Sequence, residues 1–172
     1  MLGELITSKT RLRLLIKFFV SQANRGYLNG LATEFGESTN AIRKELNHLH
    51  EAGYLQKEKS DNKIQYKANT KHPMYSVLQK VILKHLGLED VVEFVLEQIG
   101  NVEQIILIGD YAKGIDSGKI EIIIVGQHLN TSYVKNLEEK LEKLINRKAV
   151  FFLTASHLLS EEDEIILFNK NE

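Results

Sequence analysis

The stretch GDYAKGIDSGKIEIIIVG, Gly109 to Gly126, places a glycine turn between two apolar runs. That order suits a loop that cradles phosphate beside a strand that holds metal, the working parts of metal-assisted phosphoryl transfer. The charges, however, are misplaced for that chemistry. Asp110 stands where a phosphate loop needs a neutral hydroxyl, and Lys119 stands two residues before Glu121. Side chains at i and i+2 of a strand share a face, so Lys119 and Glu121 put an ammonium beside a carboxylate where two carboxylates would share a cation. A second set of residues suits different chemistry. In TNAIRKELNHLHEA, Asn40, Arg43, Lys44, Asn47 and Glu51 fall on one side of a helix and Ile42, Leu46 and Leu49 on the other. Asn and Arg can pair bidentately with adenine and guanine edges. Glu51 is the only acid on that side, near the end of the helix that leaves a DNA groove.

The elements that must position these residues follow from periodicity. SKTRLRLLIKFFVSQ carries Leu12, Leu15, Ile16 and Phe19 at helical spacing, and LNGLATEFG is a short helix with Leu28, Leu31, Ala32 and Phe35 inward. Gly36 ends it, and Ser38 is the expected N-cap of the next helix, which Gly53 stops. YLQKEK and KIQYKA flank the turn SDN as a hairpin, with Ile64, Tyr66 and Ala68 alternating against Lys63, Gln65 and Lys67. Helix, turn, helix and hairpin in this order make a winged helix-turn-helix. Its expected contacts with double-stranded DNA are Ser38, Thr39, Asn40, Arg43, Lys44 and Asn47 on the helix, with Lys57, Lys59 and Lys63 of the wing on phosphates. The plainer reading of Arg43, Lys44 and Asn47 is a solvated helix face. Charge distribution favours DNA: residues 1–71 hold 12 Lys and Arg against 7 Asp and Glu, whereas residues 72–172 hold 10 against 16.

The composition is that of an ordinary soluble globular protein, 43% hydrophobic and 26% charged over 172 residues. No apolar run is long enough for a membrane helix, and the charged N-terminal residues do not form a signal peptide, so a cytoplasmic protein is expected. With no cysteine, disulfides and thiolate metal sites are excluded. His48 and His50 stand two apart on a helix and cannot converge on one metal, and His72, His85, His128 and His157 are scattered. No cofactor and no bound metal are expected.

TKHPM, with the single proline, marks a boundary. The expected division is a DNA-binding domain over 1–71, a linker or dimerisation helix over 72–87 and a second domain over 88–172. The linker's Val77, Leu78, Val81, Ile82, Leu83 and Leu86 cover a broad arc, as in a buried helix or a dimer contact. Beyond it, LEDVVEFVLEQI reads as a helix, VEQIILIG and KIEIIIVG as strands, SYVKNLEEKLEKLINR as a helix and KAVFFLT as a third strand. The ending, ASHLLSEEDEIILF, has no clear period. The fold class is therefore an α+β, two-domain chain whose second domain is a small α/β unit.

LATEFGESTNAIRKELNHLHEAGYLQKEKSDNKIQYKAN resembles the winged-helix module of bacterial regulators related to the arsenic-repressor group, through its A-x-x-F-G-x-S turn and L-x-x-L-x-x-A-G-Y-L tail. HPMYSVLQKVILKHLG together with NVEQIILIGDYAKGIDSGKIEIIIVG is similar to regulators that fuse a winged helix to a minimal nucleotidyltransferase domain. That family's motif is Gly-Ser, Ala-Arg-Gly and Asp-x-Asp, with a third carboxylate on the next strand. Gly109, Ala112, Lys113 and Gly114 fit it, but the serine position holds Asp110, the first aspartate position Lys119 and the second Glu121, while KAVFFLT offers no carboxylate. The resemblance implies a DNA-binding transcriptional regulator with a nucleotidyltransferase-like domain. The departures from the motif imply that this domain is catalytically dead and serves dimerisation, sensing of a small-molecule or protein effector, or partner binding. The broad apolar arc of the linker helix suits a homodimer on a two-fold DNA site. Gly109, Asp110, Lys119 and Glu121 are then the remnant positions. Two alternatives stand beside it: a working magnesium-dependent nucleotidyltransferase using Glu121 with Asp110 or Asp116, and an antitoxin-like protein-interaction module.

Overall fold

The computed structural model describes residues 2–160 and 163–172, and its chain divides into two compact units, Met1–Ile82 and Leu83–Glu172. The division falls inside a helix, Tyr75–Leu86, rather than at the proline-bearing segment before it. Both units mix helices and strands, so the chain is α+β. Among the described residues no helix is long and apolar enough to cross a membrane.

The first unit runs α1 (Leu2–Leu5), α2 (Lys9–Phe19), β1 (Arg25–Tyr27), α3 (Leu28–Phe35), α4 (Thr39–Glu51), β2 (Leu55–Ser60) and β3 (Lys63–Ala68), followed by α5 (Tyr75–Leu86), which reaches into the second unit. The expected order of helix, helix, helix and hairpin is present. Gly36 adopts φ +64° at the end of α3, and the Ser38 Oγ accepts from the Ala41 amide at 3.2 Å to start α4. A left-handed C-cap and a serine N-cap two residues apart give the chain its sharp change of direction between the helices. Asp61 and Asn62, both at positive φ, form the hairpin turn between Ser60 and Lys63, as a two-residue turn between twisted strands requires.

Three expectations for this unit change. The α2 core is wider than the stripe through Leu12: Leu14 and Phe18 are fully buried, and Leu12 is only partly covered. Ile64 is 51% exposed although Tyr66 and Ala68, on its face, are buried. It lies toward the hairpin tip, next to Lys63 at the turn. Finally, Arg25–Tyr27 adds a strand on the far side of β3, giving the order β1-β3-β2.

In the second unit α6 (Leu88–Gln98), β4 (Asn101–Ile108), the single turn α7 (Gly109–Ala112), β5 (Lys119–Gln127), α8 (Val134–Ile145), β6 (Lys148–Thr154) and β7 (Ile165–Asn169) build a four-stranded sheet of order β6-β5-β4-β7. β4 pairs antiparallel with β5 and β7, and β5 pairs parallel with β6 through the α8 crossover. Leu137, Leu141 and Ile145 form the buried stripe of α8, and Ile120, Ile122 and Ile124 are the buried face of β5. β7 is a fourth strand where three were expected. It lies in the untyped ending, whose residues 161–162 are outside the described residues. On α5 the broad apolar arc divides: Ile82 and Leu86 are buried, whereas Val77 and Val81 are 48% and 38% exposed.

Candidate functional site

Helix α4 is held from behind by a charge pair that its amphipathic pattern does not reveal. Glu45, 7% exposed, accepts from Arg11 Nε and from Ser8 Oγ of the α2 N-cap, both at 2.8 Å. Burial alone would raise the Glu45 carboxyl, but the Arg11 and Ser8 hydrogen bonds outweigh it and hold the carboxyl below its ordinary value. Arg11 also reaches His48 Nδ1 at 3.4 Å, and the His50 ring lies 3.0 Å from the Leu55 carbonyl. The two histidines of the helix thus have separate local partners.

The opposite face of α4 carries the expected polar residues. Asn40, Arg43 and Lys44 are exposed and Asn47 is partly so. Arg43 donates to the Asn40 Oδ1 at 3.0 Å, which aligns two side chains able to read bases along the first turns of the helix. Ser38, Thr39 and Asn40 lie at its N-terminus, where free amides and the helix dipole favour phosphate oxygens.

Between this face and the hairpin lies an open groove of about 710 Å³, lined by Arg43, Asn47, Lys57, Lys63, Ile64 and Tyr66 among others. The strand register explains its chemistry. Lys57 pairs across from Tyr66 and Lys59 from Ile64, so these lysines share the apolar residues' face of the hairpin. The Lys57 ammonium stands 5.7 Å from the Tyr66 ring centroid and 3.5 Å from Asn47 Oδ1, the outer limit of a hydrogen bond. Lys63, beside the turn, alternates with them. Of the hairpin's two basic faces, the one expected to be purely apolar holds Lys57 and Lys59. The other holds Lys67, paired with Glu58.

The second candidate, the loop from Gly109 to Gly118, is closed by internal bonds. Gly109 has φ +69°, and a Cβ there would stand 2.5 Å from the Glu121 Oε2, so glycine is needed for the Glu121 carboxylate to lie against the turn. Lys119 Nζ donates to Glu121 Oε1 at 2.7 Å, the pair expected from their spacing. Asp110 does not join it. It is exposed, with no side-chain partner among the described residues. The residue beside Glu121 on β6 is Val150, an apolar neighbour where a third carboxylate would be needed.

Asp116 is engaged elsewhere. Arg147 grips it with two hydrogen bonds, Nε to Oδ1 at 3.0 Å and Nη2 to Oδ2 at 2.8 Å, and the buried Tyr111 hydroxyl donates to the same Oδ1. The Gly118 amide and Arg147 Nε donate to the Tyr111 oxygen at 3.1 and 3.0 Å, and Arg147 also reaches the His85 and Ile145 carbonyls. Burial pushes the Asp116 carboxyl up, yet the bonds from Arg147 and Tyr111 prevail and keep it below its ordinary value. Burial and the adjoining Asp116 charge raise the Tyr111 phenol well above the ordinary tyrosine range. Sequence reading missed this cluster, since nothing periodic links Arg147 to a loop 31 residues earlier. Among the described residues no three His, Asp or Glu side chains converge as metal ligands.

No protein-family model matches this chain, and no curated protein matches it. Among solved structures it is similar to the crystal structure of the AntR antimony-specific transcriptional repressor, at 21% identity and a TM-score of 0.39 over 54% of this chain and 82% of that one. A TM-score at this level assigns neither family nor function.

Proposed function

We propose that the chain is a DNA-binding transcriptional regulator whose first unit is a winged helix-turn-helix. The observation that carries this reading is the outer face of α4: Asn40, Arg43, Lys44 and Asn47 are presented together, with no acid before Glu51, beside a groove that Lys57 and Lys63 line. A helix fits the major groove, and the hairpin lysines then meet phosphates of the neighbouring backbone. Selection of duplexes from a random pool tests it. A single enriched motif is expected, and recovery of no motif from a folded chain would favour the protein-interaction alternative.

The second unit is best read as a nucleotidyltransferase-like domain without catalysis. Lys119 neutralises Glu121, Arg147 and Tyr111 occupy Asp116, and Val150 stands beside Glu121. An in-line phosphoryl transfer needs cations held by carboxylates free to bind them, and Asp110 alone would repel a triphosphate. The chain is expected to transfer no labelled nucleotide from any of the four triphosphates with magnesium. Replacing Asp110 by Ser and Lys119 by Asp together should improve magnesium affinity without restoring turnover, since the third carboxylate is still missing. Turnover by the unmodified chain would establish an enzyme instead.

The regulator acts as a homodimer in this reading, because two-fold proteins read paired half-sites. Met74, Val77 and Val81 support it: they lie at i, i+3 and i+7 along the start of α5 and its preceding residue, all exposed and all apolar. Light scattering at micromolar concentration should give twice the 19.7 kDa chain mass. Val81→Glu should return the mass to that of one chain; a wild-type monomer binding DNA as one copy is the contrary result.

A further inference from the structure

The three-stranded sheet of the first unit has a second face, turned away from the α4 groove, and its charge has no part in the function above. Arg25 on β1 pairs across from Lys67 on β3, which pairs in turn with Gln56 on β2. Cross-strand partners share a face, so Arg25, Lys67 and Gln56 project from one face of the sheet in adjacent strands. Lys71 and Thr70, which follow β3, and Gln22 before β1 complete a cleft of about 540 Å³. Among the described residues no carboxylate lines it. Glu58 reaches Lys67 in an ion pair but is not part of the wall.

Arg25 is pre-oriented. Its Nη1 donates to the carbonyls of Gln22 and Asn24 at 2.7 and 3.0 Å, which fixes the guanidinium plane. Nε and Nη2 donate to nothing among the described residues, and the Lys71 ammonium has no side-chain partner there either. A fixed guanidinium edge with two free N–H groups matches two oxygens of one phosphate, and a neighbouring ammonium adds point charge without demanding geometry. Cations gathered in a concave site raise the local field above that of the same charges on a convex surface. Gln22, Gln56 and Thr70 add neutral donors and acceptors. A cleft of this size admits a small molecule, whereas a duplex presents a convex backbone. We infer that the cleft bounded by Arg25, Lys67 and Lys71 binds a soluble ligand carrying two adjacent phosphate groups. Arg25 holds one phosphate in bidentate fashion, and Lys71 meets the other.

Calorimetric titration of the full chain with inorganic pyrophosphate, without divalent cation, tests this. A dissociation constant below about 1 mM is expected, weakened about tenfold or more by Arg25→Gln and by Lys71→Ala. Lys71→Ala serves as the second variant because its side chain is exposed and makes no hydrogen bond or ion pair among the described residues. Arg43→Ala, in the other groove, should leave pyrophosphate binding unchanged. Absence of binding overturns the inference, as does loss in Arg43→Ala in place of the two cleft variants. It is overturned too if Arg25→Gln and Lys71→Ala weaken duplex affinity as much as they weaken pyrophosphate, since the cleft would then be a DNA-backbone contact. The inference does not rest on the DNA-binding reading: the titration contains no DNA, so its failure leaves the role of α4 untouched.

Discussion

Raising salt from about 50 to about 200 mM should weaken duplex binding by about a thousandfold, if the first unit neutralises about six phosphates. The cations available are Arg43 and Lys44 on α4 and Lys57, Lys59 and Lys63 on the hairpin, with the α4 N-terminal amides as a further anion site. Each phosphate contact releases condensed counterions, so the logarithm of affinity falls linearly with the logarithm of salt. Lys57→Ala or Lys63→Ala should therefore weaken all sequences alike and reduce the slope by about one. Lys67, already paired with Glu58, should contribute less to the slope. Fluorescence anisotropy of a labelled duplex over a salt series measures this. A flat salt dependence would leave the basic groove without its assigned partner.

The second large effect is expected at Arg147. Arg147→Met should destabilise the second unit by about 2 kcal/mol, between the cost of losing an exposed ion pair and a buried one, because Asp116 is an exposed residue while the Arg147 and Asp116 side chains keep only 15% and 28% of their surface exposed. Most of that cost comes from leaving the Asp116 charge with only the Tyr111 hydroxyl. Adding Asp116→Asn should accordingly recover a good part of it, and urea unfolding of the single and double variants reads the coupling. Acid titration gives an independent signature. The folded Asp116 pKa lies below its ordinary value of 3.8, so its stabilising contribution is fully present above that value and disappears as pH falls through the folded pKa. Glu45 behaves likewise in the first unit, below its ordinary 4.5. Arg147→Met should flatten the acid limb of the second unit and leave the limb set by Glu45 intact. An unchanged acid limb would mean that Arg147 does not hold Asp116 in solution.

The parts legible in the sequence are those governed by local rules. Ser38 caps α4 because a serine before a helical stripe has an amide to satisfy, and the Asp61–Asn62 turn follows from residues that tolerate positive φ. The Lys119–Glu121 pair follows from strand alternation alone. What escaped depends on partners distant in the chain. Arg25–Tyr27 is a strand only because β3 offers it an edge, three residues being too few for a period. Lys57 faces α4 because the register places it opposite Tyr66, which the alternation of β3 alone does not reveal. Asp116 reads as a free loop carboxylate until the end of α8 brings Arg147 to it. Apolar periodicity likewise marks α5 as broadly buried, while the fold covers only Ile82 and Leu86 fully. The candidate DNA face was thus readable because it is one face of one helix, and the closed loop was not because three separate segments build it.

Base reading by α4 is the central claim, and the most direct test compares Arg43→Ala with the unmodified chain on the selected duplex and on a scrambled duplex of equal length. Arg43 stands exposed beside Asn40 on the helix's outer face. Loss of a bidentate base contact costs about 1–3 kcal/mol, roughly tenfold to a hundredfold in affinity, on the selected duplex and little on the scrambled one. That difference is the expected result. Equal loss on both duplexes would make Arg43 a phosphate contact only, and no loss on either would remove α4 from the DNA altogether.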